Sequence, residues 1–513
     1  MFNISSIYKN VPVTSYTVFL QARSKTKVHW AKLRRKTSPK YKALSHFDDF
    51  YGNVFGDKWQ DMREAMLRRS KYVAVINNYG DAEETMDYLT SRGAHNLKDL
   101  VSIQKDFHDQ YSPAPTSPTT TPQPDRLEEY MARQQAEEIA RLYPNTDNMP
   151  DRLEFDDGAK RSERETKAVN EAPPSRTLDE SIADAEIDES RIIDPAMGAA
   201  SEALYQFLPA TKLKGMDEWV SESVHFSYYD TKDTKDFPLI IEPETELEYP
   251  EHLKVFTYEM DSDYTSFPEP KRCQTGVLNY YPLDCGSVVA VLALRLRAGD
   301  RALDLCAAPG GKALLALQTL LPDTLMCNDI SISRSNRIHH IFRDYLFDFE
   351  TNSKWRERVI FKRVDGRHLV DDQGFDKVLV DAPCTTDRHS INQDDNNIFR
   401  PDRIKERLRI PDMQSQLLVN ALKLVKVGGT VVYSTCSLSP AQNDGVVHMA
   451  LKRAFESYSV VATIKDMTAS MAGFSSTLVL GTGLAAPKYG ILVTPSIKAN
   501  FGPSYISKLV RIR

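Results

Sequence analysis

From Arg301 onward, short apolar runs alternate with amphipathic stretches. RALDLC, TLMCNDI, VIFKRVD, KVLVDAP and TVVYSTC each read as a strand buried on both faces. Between them lie segments with helical spacing: one after the glycine-rich stretch, one through Arg337, and one from Asp412 to Val427. In the last, Met413, Leu417, Ala421 and Leu424 form a stripe flanked by Leu418, Leu422 and Val425, a packing face and not a cofactor box. This alternation predicts an α/β fold built on a doubly wound, mostly parallel sheet. GILVTPS and YISKLVRIR are expected to close that sheet as an antiparallel pair.

Upstream the pattern changes twice. Phe47, Phe50, Tyr51, Phe55, Trp59, Met62 and Met66 recur at helix-compatible spacings, and Tyr72 to Ile76 reads as a short strand before the turn signal NNYGD. We therefore expect a small, mainly helical unit over 41–108. SPAPTSPTTTPQP then places five prolines in thirteen residues, and Ser112 to Pro195 carries twenty acids against ten bases. Such a stretch, over 109–198, reads as a disordered linker with at most one weak helix at DRLEEYMARQQAEEIARLY. A pre-catalytic region over 199–298 contains a turn and buried helix at 278–297, and the domain at 299–513 follows.

Charge adds a further segment. Residues 1–47 hold ten Lys or Arg and no acid, within a chain of net charge -6. An acid-free start rich in Ser, Thr, Lys and Arg has the composition of a mitochondrial transit segment, placed here over 1–40; a basic tail or a nuclear signal at Leu33 to Lys36 is the alternative. No stretch approaches the roughly 18 apolar residues of a membrane span. Six cysteines without a CxxC describe neither a disulfide scaffold nor a zinc site.

Candidate chemistry gathers at the strand ends. AAPGGK, Ala307 to Lys312, sits between the first strand and its helix, where glycines let backbone approach a ligand. Asp329, eighteen residues past Gly311, is placed for ribose hydroxyls; Asp365 with Gly366 suits an adenine, and Asp381 ends the fourth strand. The loop is neither GxGxxG nor GxxxxGK[ST], and acids without a basic phosphate cradle suit a nucleoside carrying a sulfonium, S-adenosylmethionine. Cys384 and Cys436, fifty-two residues apart, both follow strands, where a thiol can attack a substrate. Position alone leaves their roles interchangeable. Cys306 and Cys327 read as small buried hydrophobes, and Cys273 and Cys285 carry no functional argument. The segment IFRPDRIKERLR, preceded by Arg388 and His389, reads as a loop with five bases against two acids, able to meet phosphates or simply solvated.

LDLCAAPGGKA, CNDISISR, VDGR, VDAPCTTDRHS and VVYSTCSLSPAQN together resemble the RsmB/Sun-type (NOL/NOP/Sun domain) RNA cytosine-5 methyltransferases. FDDFYGNVFGDKWQDMREAML, KYVAVINN and NFGPSYISKLVR are similar to the branch of that family acting on mitochondrial ribosomal RNA. The resemblance covers roughly residues 28–90 and 270–513. It implies a Rossmann-like S-adenosylmethionine-dependent fold and a matrix location. As partners it implies small-subunit ribosomal RNA, the mitochondrial small ribosomal subunit and an mTERF-family protein. It assigns Cys436, in the TCS motif, as nucleophile and Cys384, in the PC motif, to product release, with Asp381 beside them. It assigns Ala307, Gly310, Gly311, Lys312, Asp329, Arg334, Asp365, Gly366 and Asp381 to the cofactor. Ala313 departs from the Thr or Ser usual after the Lys. A mitochondrial transfer-RNA methyltransferase and a ribosome-assembly scaffold remain the alternatives; a DNA cytosine methyltransferase would instead place its nucleophile in the PC motif.

Overall fold

The computed structural model describes residues 38–111, 136, 237–262, 267–483 and 486–513. The expected transit segment lies outside these residues except for its last three, the expected linker except for 109–111 and 136, and residues 199–236 of the expected pre-catalytic region entirely.

Two helices open the described chain, α1 (Pro39–Phe55) and α2 (Lys58–Leu67). The residues singled out by spacing, from Phe47 to Met66, are buried there. They do not form a core of their own. They pack in one apolar cluster with Leu303, Val378, Val380 and Leu417 from the C-terminal half. Next come β1 (Val73–Ile76), α3 (Ala82–Ser91), β2 (His95–Asn96) and α4 (Leu97–Tyr111), then β3 (Ile240–Pro243), β4 (Val255–Thr257), β5 (Tyr280–Leu283) and α5 (Cys285–Ala293). All four residues of β1 are buried, so the strand needs neighbours on both edges and cover on both faces. It pairs antiparallel with β4 and β5, making the sheet β2-β4-β1-β5. That sheet crosses the boundary expected between an N-terminal unit and a pre-catalytic region.

The second half supplies β6 (Arg301–Asp304), α6 (Gly311–Gln318), β7 (Thr324–Asn328), α7 (Ile332–Tyr345), α8 (Ser353–Arg358), β8 (Val359–Lys362), β9 (Phe375–Asp381) and α9 (Asp387–Asn392). It continues with α10 (Ile404–Leu424), β10 (Val425–Thr435), α11 (Asp444–Tyr458), β11 (Ala462–Asp466), β12 (Ile491–Val493) and β13 (Ser504–Arg511). The main sheet runs β3-β11-β13-β10-β9-β6-β7-β8, with β12 on β13. The stretch β10-β9-β6-β7-β8 is parallel throughout, the expected doubly wound arrangement. β12 and β13 pair antiparallel as expected, and β13 also runs antiparallel between β10 and β11. Two details differ. β3 and β11 add an edge that periodicity did not reveal. Helix α10 begins at Ile404 instead of Asp412, so IKERLR is helical, and it ends at Leu424 instead of Val427. Pro411 lies inside it; the ring costs one main-chain hydrogen bond, offset by burial of Ile410 and Pro411.

Asn77 clips the small sheet to the large one. Its amide donates to the carbonyls of Leu278 (2.7 Å) and Tyr345 (2.8 Å), and its oxygen accepts from the Gln318 amide (2.9 Å). Asn77→Ala leaves those carbonyls unpaired and is expected to cost about 2–4 kcal/mol, seen as a lower urea midpoint. An unchanged midpoint would contradict the clip.

Candidate active site

The chain runs outward from β6 through β7 to β8, then returns to lay β9 on the other side of β6. A crevice at such a switch point, beyond the carboxyl ends of the strands, is where open sheets hold ligands. Asp304 ends β6, Asp381 ends β9, Asp329 follows β7 and Asp365 lies just past β8. Asp304, absent from our sequence assignment, is 2 % exposed, and neither of its oxygens has a hydrogen-bond partner of normal geometry. Burial first, then the charge of Asp381, pushes its carboxyl up to about 8, against which Lys312 and the Cys306 amide pull only partly. A buried, unpartnered carboxylate beside other acids is what a cationic ligand would satisfy.

The loop 307–312 is braced from two sides. The Ala307 amide donates to the Asn328 carbonyl (2.8 Å), and Arg334 donates to the Ala308 carbonyl (3.1 Å) while lying 3.4 Å from Asp329. Asp329 is buried and accepts from the Ser331 amide (2.9 Å), which sets the start of α7. Gly310 has φ +117°, and a Cβ there would sit 3.3 Å from the Ile338 backbone; one on Gly311 would sit 3.0 Å from the Tyr281 ring. Close packing of α6 on α7 and β5 thus demands both glycines, a reason additional to the ligand approach expected from sequence. Asp365 is held below the usual carboxylate range by hydrogen bonds from Arg367. The carbonyl of Gly366 accepts from Asn420 (2.8 Å), and a Cβ at Gly366 would meet Leu417 at 2.8 Å.

Lys312 reaches from this loop to Asp381 (2.8 Å), whose other oxygen accepts from the Ser434 hydroxyl (2.8 Å). Burial pushes the Lys312 ammonium down, but Asp381, with Cys436 and Asp304, more than compensates and holds it above its usual range. β9 and β10 lie side by side, so the turns leaving them bring the two candidate thiols together. Cys384 Sγ and Cys436 Sγ are 2.9 Å apart. Cys384 is 9 % exposed, whereas Cys436 borders solvent in a cleft of about 660 Å³ that Lys312, Asp381 and Thr386 also line. The hydrogen bond with Cys384, then burial, then Asp381 and Asp387 push the Cys436 thiol well above its ordinary range. Because Cys436 is open to the cleft, we assign the dominant effect to its contact with Cys384. Cys306 and Cys327 are buried in the apolar clusters.

Arg388 does not face solvent as a free base. Its guanidinium donates to the carbonyls of Gly502 (2.8 Å) and Ala65 (3.2 Å) and to the Asn500 side chain (2.8 Å). It is a tie between α2, α9 and the 500–502 turn. In the following helical segment Arg400 and Arg403 are paired with Asp402 and Glu406. The sequence assigns no role to the aspartate of TTDRHS. Asp387 is fully buried and accepts hydrogen bonds from Tyr51 of α1 (2.6 Å) and the Leu438 amide (2.8 Å). No local pattern marks that contact.

Residues 291–484 match the family model of the 16S rRNA methyltransferases RsmB/F. The chain is 31% identical over 502 residues to the 5-cytosine rRNA methyltransferase nsun-4 of Caenorhabditis elegans, covering 96% of this chain and 97% of that one. It is 31% identical over 492 residues to NSUN4 of Xenopus tropicalis, covering 96% and 95%. A mitochondrial tRNA (cytosine(34)-C(5))-methyltransferase of Mus musculus is 34% identical over 281 residues, 52% of this chain and 77% of its own. Each of the first two matches covers 96% of this chain, a longer span than the 28–90 and 270–513 that carry the motifs. On this near full-length similarity, the chain belongs to the RsmB/F family of S-adenosylmethionine-dependent RNA cytosine-5 methyltransferases.

Proposed function

We propose that this enzyme methylates carbon 5 of a cytosine in mitochondrial small-subunit ribosomal RNA through a covalent adduct on Cys436. The observation that carries the mechanism is the thiol pair: two sulfurs 2.9 Å apart, one open to the cleft and one behind it. Carbon 5 of cytosine is a poor nucleophile. Addition of the Cys436 thiolate to carbon 6 makes carbon 5 enamine-like, splitting one hard step into easier ones. The bound cofactor supplies an electrophilic methyl group. Once carbon 5 carries it, a base takes the carbon 5 proton, and the electron pair left behind forms the carbon 5–carbon 6 double bond as the sulfur–carbon 6 bond breaks, freeing 5-methylcytosine and returning the Cys436 thiolate. Cys384, in contact with the attacking sulfur, is the residue placed to assist that release. The target base must be unstacked to enter the cleft, so the RNA is single-stranded or flipped there.

The acids at the strand ends fit the cofactor. Asp329 would take the ribose hydroxyls and Asp365 with Gly366 the adenine. Asp304 and Asp381 would face its positive charges, while Ala307, Gly310, Gly311, Lys312 and Arg334 shape the loop beneath it. Ribosomal RNA as substrate is supported by the relatives named as rRNA methyltransferases that match nearly the whole chain, whereas the tRNA relative matches 52% of it. The acid-free N-terminal stretch and the mitochondrial name of the tRNA relative support a matrix location. By family resemblance the enzyme works at the small ribosomal subunit during assembly, beside an mTERF-family partner.

Trapping on RNA tests the roles of the thiols. Cys384→Ala is expected to accumulate the covalent adduct and Cys436→Ala to form none; the reverse pattern sinks the assignment. Sequencing the trapped RNA decides between ribosomal and transfer RNA. A second measurement concerns Asp304. Its carboxyl is raised to about 8, and a cationic ligand favours its ionised form. Affinity for S-adenosylmethionine should therefore tighten as pH climbs from about 6.5 towards about 8.5, by at most about tenfold per unit, then level off. Titration calorimetry should find Asp304→Asn flat over that range; a flat wild-type profile would refute the idea.

A further inference from the structure

Each candidate cysteine is followed by a hydroxyl residue, Thr385 after Cys384 and Ser437 after Cys436. Both hydroxyls donate to one carboxylate, Asp387: Thr385 to one oxygen (2.5 Å), Ser437 to the other (3.2 Å). The second oxygen also accepts the Leu438 amide (2.8 Å) and the phenol of Tyr51 (2.6 Å). The main chain repeats the connection, since the Asp387 amide donates to the Cys436 carbonyl (3.3 Å). Thr386, between Cys384 and Asp387, has φ +45°, a left-handed conformation costly for a β-branched residue. Such strain persists only where surrounding bonds over-determine the backbone.

We propose that Asp387, anchored by Tyr51, is the positioning residue that sets the spacing of the two thiols, so that helix α1 completes the active site from outside the sheet. This rests on the catalytic reading of Cys384 and Cys436 above. Burial pushes the Asp387 carboxyl up, and the hydrogen bonds from Thr385, Tyr51, Leu438 and Ser437 oppose that push. Tyr51 is itself enclosed among Phe47, Phe55 and Trp59, and burial raises its phenol well above the ordinary value, so it stays a donor. Removing the phenol leaves the ring packing in place and takes one donor from a buried carboxylate. The turn carrying Cys384 then loosens, while the cofactor crevice across β6 and β7 is untouched.

Tyr51→Phe separates positioning from folding. We expect kcat to fall about tenfold, with the KM for RNA and the Kd for S-adenosylmethionine within about twofold of wild type. Labelling of Cys384 by iodoacetamide, read by mass spectrometry without turnover, is expected to rise at least about threefold as the turn opens. Ser437→Ala, which removes another donor to the same carboxylate and leaves the Tyr51 phenol itself in place, should shift both readouts in the same direction. Unchanged kcat and unchanged labelling in both variants overturn the positioning role. A wild type that forms no adduct with RNA overturns the catalytic reading instead, because the labelling result does not depend on it.

Discussion

Parallel strands that reverse order at β6 and β9 drive carboxylates toward one point, and the site is built around that repulsion. Asp304, Asp329 and Asp381 converge there, with Lys312 as the cation bonded to Asp381. The conflict is met by shifting protons: burial and Asp381 raise the Asp304 carboxyl, while Asp381 holds Lys312 charged. The loop of Ala307 to Lys312 is also shaped by helix α6 having to start close against Ile338 and Tyr281. Arg334 belongs to the same economy of charge, since it caps the loop carbonyl and stands beside Asp329.

The thiol pair depends on a different constraint. Adjacent strands put Cys384 and Cys436 within reach of each other, but their turns would be free to splay without the carboxylate between them. Asp387 holds residues from both turns and from a helix 336 positions earlier in the chain. An N-terminal region that composition presents as an appendage is therefore part of the same apolar cluster as the catalytic sheet.

Much of this was legible beforehand, for physical reasons. Strands such as Phe375–Asp381 are covered on both faces, so their apolar runs stand out, and strand-end acids and cysteines are visible as interruptions of those runs. The edge strand β3 and its neighbour β11 stayed hidden because they are short and carry charges, with Ile241 left exposed. The start of α10 was masked by Pro411, whose backbone cost burial offsets. The glycines were recognised, but their packing partners, Ile338 and Tyr281, are distant in sequence. Asp387 and Tyr51 could not be paired from one sequence, because a polar side chain in a turn and a tyrosine on a helix stripe each have an ordinary local explanation. Asp304 was quoted in its motif and passed over, its isolation being visible only once its surroundings are known.

Strand β13 bears on what holds the sheet together beside the thiols. It lies between β10 and β11, pairing with both, and residues 504–511 are the most C-terminal strand of the chain. Without it β10, which leads to Cys436, would have an open edge, and β11 would keep only β3 as a neighbour. The strands beneath the cofactor loop, β6 and β7, pair with each other and with β9, and neither pairs with β13. Displacing β13 would therefore bare an apolar strand edge beside the thiol pair while leaving the strands under the cofactor loop paired, so the two halves of the crevice differ in what secures them.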